Sequence, residues 1–397
     1  MAGPLEDVRI LDLSWVLSGP FATMILNDLG AEVLKVERLE VGDIARGNGP
    51  YVKGLSSYFL SLNRGKKSIT LNLASEKGRD IFLRLVEHVD IVVENFTPGT
   101  MEKLGLSYET LKQYNPKIIY AACSGFGQTG PYATKPAFDT IVQAMGGIMS
   151  TTGQPGGPPI RPGASMGDIT AGLFLCIAIL TCLHERHASG QGQMIDISML
   201  DCQVAIQENS FARYLNTGEV PQALGTRHPV FTPFQVFSTM DSYIAVAMMG
   251  GVRDQWPLYC AAIDRPDIID DERFQTGWLR TQNYAALEPI LTEAMRTKST
   301  QEWLAELEQV GIPCGPVNTI DKVAADPQIL AREMIAEVHH TKAGSFKVAN
   351  TPIKLSRTPS KLERASPDLG EHTKEILRKF LEMTEQDLLD LENAKVT

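Results

Sequence analysis

The stretch Val8-Arg-Ile-Leu-Asp-Leu13, Ser14-Trp-Val-Leu-Ser-Gly-Pro20, Phe21 to Leu29, Gly30, and Glu32-Val-Leu-Lys-Val-Glu37 decides the fold. Its first and last pieces are short and apolar, with the length and content of strands. Between them Phe21, Met24, Ile25 and Leu29 recur at helical spacing, Pro20 suits a first helical position, and Gly30 suits a stop. Strand, helix and strand at this spacing make a βαβ unit, with parallel strands and a right-handed crossover.

The pattern repeats downstream. A helix near Glu76–Val89 precedes the strand Asp90–Glu94, and a helix near Met101–Leu104 precedes the strand Lys117–Ala122. This alternation predicts an α/β doubly wound sheet whose ligands sit at the carboxyl ends of the strands. No GxGxxG follows the first strand, which argues against an ordinary dinucleotide site. After about residue 200 the texture changes. Tyr243–Ala247 reads as a strand, and helical segments around Arg253–Ala262, Tyr284–Thr297 and Thr300–Val310 suggest a smaller α+β domain. Met248-Met-Gly-Gly251 reads as a flexible link, Glu337–Val348 as polar hairpin-like segments, and the chain closes with an amphipathic helix.

The 397 residues are 43% hydrophobic and 21% charged, the balance of a globular protein. The net charge of −10 argues against nucleic acid as a partner, and the densest basic cluster, Arg64-Gly-Lys66-Lys67, reads as a solvated turn. The N-terminus has no signal-peptide pattern, and the apolar run Ile169–Leu183 is too short for a membrane span. Cys123, Cys176, Cys182, Cys202, Cys260 and Cys314 form no CxxC pair and read as small buried apolar residues, which fits a reducing cytoplasm and no metal.

One acid stands out. In Arg161-Pro-Gly-Ala-Ser-Met-Gly-Asp168-Ile-Thr-Ala-Gly172 a Gly/Pro-rich loop runs into an apolar helix. A carboxylate there meets the positive end of the helix dipole, which should keep it ionised, and Gly167 should let a ligand approach. An accessible carboxylate can act as a nucleophile. By position alone the plainer reading of Asp168 is an N-cap, a place where Asp is common.

Several stretches together resemble the class III CoA-transferases, the carnitine-dehydratase/bile-acid-inducible operon type. They are Leu11–Pro20, Gly30–Arg38, Gly42-Asp43 with Arg46, Asn63–Ser68, Val93–Phe96 with Pro98-Gly99, Ser124–Pro131, the Asp168 segment, Gly190–Gln193, Gly311–Val317, Asp326-Pro327 and Leu369–Thr373. The resemblance implies a large CoA-binding domain built from residues 1–200 and 325–397, a small domain over 225–320, and an interlocked homodimer. It makes Asp168 the catalytic nucleophile, passing through mixed anhydrides and an aspartyl-CoA thioester. CoA, the acyl-CoA co-substrate, would be held by Val16, Ser18, Arg38, Leu71, Asn95, Phe96 and Lys103. Backbone N–H groups near Val16–Ser18 would hold oxyanions. Flanking sequence is similar to transferases of short dicarboxylates such as oxalate or succinate, with Arg161 or Arg227 as candidates for a second carboxylate. Leu17 stands where formyl-CoA:oxalate transferases have a glutamine, and Gly250-Gly251 is all that remains of their tetraglycine flap. Two alternatives are weighed. A 2-methylacyl-CoA racemase would need a histidine where Phe138 stands, and a non-catalytic CoA-binding protein would use Asp168 only as a cap.

Overall fold

The structure, a computed structural model, describes residues 3–249, 255–360, 362 and 364–397. The chain divides into two compact units. One comprises residues 1–148, 161–218 and 327–397, and the other 149–160 and 219–326.

In the first unit, β1 (Arg9–Asp12), β2 (Glu32–Glu37), β3 (Lys67–Thr70), β4 (Ile91–Glu94), β5 (Ile119–Ser124) and β6 (Met194–Ser198) form one sheet. Every pairing is parallel, in the order β3-β2-β1-β4-β5-β6. Successive strand residues face opposite sides, and both sides are covered. Ile10, Val33, Ile91 and Ile119 pack in one apolar cluster, and Leu11, Leu34, Val92 and Tyr120 in the other. The first cluster is completed by α1 (Ser18–Asp28), and the second by α2 (Glu76–Val86). The tail helices Thr373–Leu381 and Glu385–Asn393 join the second face through Ile376, Leu377, Leu388 and Leu391. Thr373 Oγ1 also accepts the Thr70 N–H at 3.0 Å, which ties the tail to edge strand β3.

α1 begins at Ser18, two residues before the expected start, so Pro20 is its third residue. Its missing N–H costs nothing there, because first-turn N–H groups have no intrahelical acceptor. Beyond β5 lie α3 (Asp139–Met145) and α4 (Met166–Ser189). α4 corrects one expectation. The apolar run lies in a helix of 24 residues, long and apolar enough by composition to cross a membrane, and half of its most apolar window is buried inside the protein. Ala171, Leu175 and Ile179 are buried in the cluster shared with α1, whereas Leu173, Ile177 and Leu180 are exposed.

The basic cluster is a second correction. Arg64 and Lys66 are buried, not solvated. Arg64 pairs with Asp28 at 2.6 Å, and Lys66 with Asp12 at 3.0 Å. Burial lowers Lys66 to about 8, although Asp12 opposes the shift. Burial would raise Asp12, but Lys66, Lys35 and two hydroxyls outweigh it and hold the carboxyl at about 2. The cluster is part of the core beneath the first loop.

The second unit has an antiparallel sheet in the order β9-β8-β7, from β7 (Phe234–Ser238), β8 (Tyr243–Ala247) and β9 (Cys314–Pro316). Helices Trp256–Ala262, Tyr284–Met295 and Thr300–Gln309 enclose a core around Tyr259, Leu287 and Trp303. Gly250 and Gly251, the reduced flap, lie outside the described residues.

Candidate active site

Strand order reverses between β1 and β4, so chain leaving these two strands diverges and opens a crevice at their carboxyl ends. Residues 13–17 follow β1, and residues 95–99 follow β4. Irregular chain needs side-chain partners for its backbone groups. Asn95 supplies them: its Oδ1 accepts the Trp15 N–H at 2.8 Å, and its Nδ2 donates to Trp15 O at 2.8 Å and to Ser18 Oγ at 3.1 Å. The Val16 N–H donates to Asp43 Oδ1 at 3.2 Å, and Lys35 Nζ donates to Ser14 O at 2.7 Å. Thus tied, Val16 adopts φ +66°. A β-branched residue there is strained by roughly 1–3 kcal/mol, which persists only where neighbours over-determine the backbone.

Beside this loop lies a cleft of about 600 Å³, lined by Trp15, Arg38, Leu71, Phe96 and Leu104, among others. Trp15 meets Phe96 edge-on at 5.2 Å, and the Arg38 guanidinium stacks 4.2 Å over Trp15. Three of the seven expected CoA residues, Arg38, Leu71 and Phe96, therefore face one cleft. Leu71 is almost wholly buried and offers only an edge. Val16 lies in the adjoining loop, and Ser18, at the start of α1, accepts a hydrogen bond from Asn95, which follows β4. Lys103 is exposed at the end of the short helix Thr100–Lys103; its neighbours Thr100 and Leu104 line the cleft, and it does not. The sequence reading missed Trp15, whose signal was an aromatic residue in the loop directly after β1.

Asp168 lies in the first turn of α4 and is half-buried. It is not the cap. Asp139, at the start of α3, sends Oδ1 to the Gly167 N–H at 2.8 Å, while its Oδ2 accepts from Gln143 Nε2 and Arg161 Nη2, each at 2.7 Å. Among the described residues none donates a hydrogen bond to the Asp168 carboxylate. Burial, then the charge of Asp139, raises Asp168 to about 7, against a smaller lowering by Arg161. The expectation of a fully ionised carboxylate is corrected accordingly: desolvation and a neighbouring like charge oppose the helix end. The carboxyl is thus held well above the usual carboxylate range.

Asp139 was not picked out as functional by the sequence reading. Gly167 needs correction as well. A Cβ there would lie 2.6 Å from Val142 Cγ2 and 3.1 Å from Asp139 Oδ1, so the glycine serves the packing of α3 on α4, not ligand access. Arg161 is already engaged by Asp139, Ser165 Oγ at 3.1 Å and the Pro162 carbonyl at 3.2 Å. Its side chain nevertheless keeps 37% exposure. Arg227, in the other unit, stacks 4.0 Å over Tyr284. Phe138 is 76% exposed, and Leu17 is buried in the core.

The acid and the loop share one neighbourhood. A Cβ on Gly172, one turn beyond Asp168, would lie 2.7 Å from Ser18 O, so only glycine lets the first turns of α1 and α4 meet. Burial and the charges of Asp168, Asp43 and Asp139 push the Tyr58 hydroxyl up to about 12. Burial also raises the Cys123 thiol, which bonds Ser18 and feels Asp168. Val16 N–H is already taken by Asp43, whereas the first-turn N–H groups of Ser18 and Gly19 in α1 have no acceptor among the described residues. Together these groups set a half-buried carboxylate near backbone donors and a largely apolar cleft with a stacked cation. Among the described residues no group of His, Cys, Asp or Glu could hold a metal ion.

Residues 5–373 match the model of CoA-transferase family III. The chain is 39% identical to human succinyl-CoA:glutarate CoA-transferase over 99% of this chain and 90% of that one. It is 40% identical to acetyl-CoA:oxalate CoA-transferase of Acetobacter aceti, over 95% and 96%. The crystal structure of a CAIB/BAIF family protein from Brucella suis superposes with a TM-score of 0.85 at 39% identity, covering 96% of this chain and all of that one.

Proposed function

The chain belongs to CoA-transferase family III, and on that premise we propose that it transfers CoA from an acyl-CoA to a short dicarboxylic acid through Asp168. One observation carries this reading. Asp139 caps α4, and among the described residues none donates a hydrogen bond to the Asp168 carboxylate, which leaves it free to react.

The steps need no proton. An Asp168 oxygen attacks the thioester carbonyl, the C–S bond breaks, and a mixed anhydride and CoA thiolate result. The thiolate attacks the aspartyl carbonyl, the donor acid leaves as carboxylate, and an aspartyl-CoA thioester remains. The acceptor carboxylate attacks that thioester and expels CoA thiolate. The thiolate then takes the acyl group from the new anhydride and restores Asp168. One thioester replaces another, so exchange is nearly thermoneutral. Ser18 and Gly19 N–H groups would meet the tetrahedral oxyanions.

CoA would lie in the cleft after β1 and β4. Arg38 and Lys103 would meet phosphates, Leu71, Phe96 and Trp15 the apolar parts, and Val16, Ser18 and Asn95 the thioester end. The dicarboxylate class rests on the relatives, whose names specify glutarate and oxalate. We read the protein as an interlocked homodimer, and the exposed apolar stripe Leu173, Ile177 and Leu180 on α4 supports a second chain there rather than lipid. The unpaired cysteines support a reducing cytoplasm. Acyl-CoA donors crossed with carboxylic acids, with new acyl-CoA read by mass spectrometry, test the reaction. Transfer to dicarboxylates is expected; transfer to monocarboxylates alone overturns the substrate class.

A further inference from the structure

We propose that Asp43 is a positioning residue for the transfer: with Lys35 it holds the turn at residues 14–16 in its left-handed form and thereby aims the first N–H groups of α1 at the reacting carbonyl. The proposal rests on the aspartyl-CoA reading above and adds a residue to it.

Three consecutive residues are gripped from three sides. Lys35 Nζ, from β2, pulls the Ser14 carbonyl at 2.7 Å. Asn95, after β4, holds both backbone groups of Trp15 at 2.8 Å. Asp43 accepts the Val16 N–H at 3.2 and 3.3 Å and pairs with Lys35 at 3.0 Å, both side chains having no solvent exposure. Asp43 is itself fixed: Oδ1 accepts the Ala45 N–H at 2.9 Å, and its own N–H donates to Glu37 Oε2 at 2.9 Å. Glu37 is locked by Arg46 at 2.7 Å and Ser68 at 2.6 Å. The bracket thus runs from the end of β2 to the residue two before α1.

A turn that only linked β1 to α1 would need none of this. A glycine at position 16 would take φ +66° freely, and a buried ion pair brings a desolvation cost that a solvated turn avoids. The sequence instead places a β-branched residue there and over-determines it, the pattern of backbone strain stored for preorganisation. What it preorganises are the helix-start donors at Ser18 and Gly19, which Gly172 brings against the first turns of α4.

The test is a cycle in the full-length protein, with succinyl-CoA as donor and the best dicarboxylate of the panel as acceptor. Asp43→Asn is made in the wild-type and in the Val16→Gly backgrounds. We expect kcat to fall at least about tenfold in the first, with KM for succinyl-CoA within about threefold, and to fall at most about threefold in the second, because glycine keeps the conformation unaided. An equal fall in both backgrounds, or no fall, overturns the proposal. Should Asp43→Asn not fold, Val16→Pro leaves the ion pair intact but removes the N–H and forbids φ +66°. A comparable loss of kcat at unchanged melting temperature is then expected, and wild-type kcat overturns the proposal. A wild-type protein that forms no Asp168 adduct sinks the parent reading; an adduct with turnover insensitive to Asp43 sinks this one alone.

Discussion

Asp139 Oδ1 accepts the N–H of Gly167 at 2.8 Å, so the first turn of α4 is capped by a residue of another helix. The same carboxylate is the largest electrostatic neighbour of Asp168, after burial, in setting its proton affinity. Capping and tuning are therefore joined in one side chain.

Removing Asp139 should cost both. Asp139→Ala is expected to destabilise the protein by about 2 kcal/mol, from the lost cap and an unpaired Arg161. It should also lower the pH at which Asp168 ionises. Urea denaturation beside the pH profile of turnover checks this, and unchanged stability would show that the cap is not a real anchor.

The pH dependence has a definite sign. Only ionised Asp168 attacks, so kcat/KM should rise with pH through about 7. Asp139→Asn removes the like charge and should move the midpoint down, while Arg161→Gln should move it up. Midpoints that move the other way, or stay fixed, would assign the titration to another group.

Asp168 should weaken the fold it serves. Its folded value, about 7, lies above the ordinary 3.8, so the native state binds the proton more tightly. Below pH 3.8 both states are protonated and nothing is lost. As pH rises from there to about 7 the unfolded chain ionises first and stability falls. Asp168→Asn escapes this, so above pH 7 it should be more stable than wild type, by at most ~4 kcal/mol and less as far as solvent screens the half-buried group, with the gap closing near pH 4. Melting curves at pH 4 and pH 8 decide it.

Phe138, 76% exposed at the start of α3, has no atom that accepts a proton. A 2-methylacyl-CoA incubated with the enzyme in D₂O should therefore gain no α-deuterium above background. Enzyme-dependent uptake would revive the racemase alternative.

The βαβ unit was legible because β1, α1 and β2 are local, and their periodicities need no distant partner. Asp168 was legible because a loop rich in Gly and Pro meets a long apolar run. The cap was not, since Asp139 lies 28 residues upstream, and nothing near it in sequence says which helix it serves. Nor was the burial of Lys66 and Arg64. Their partners Asp12 and Asp28 stand 54 and 36 residues away, and three charges close in sequence look solvated until those partners are found. Gly167 misled for a related reason: an absent side chain signals a close approach, and sequence does not say whether ligand or helix approaches.

The central claim is that Asp168 becomes covalently linked to CoA. Wild-type protein should be incubated with acyl-CoA and no acceptor, then analysed by intact mass and peptide mapping, with and without hydroxylamine. The account predicts a CoA adduct on the peptide that contains Asp168, converted by hydroxylamine to a hydroxamate at that residue, and no adduct in Asp168→Asn. An adduct on a cysteine or serine, or full turnover with Asp168 unmodified, would contradict it.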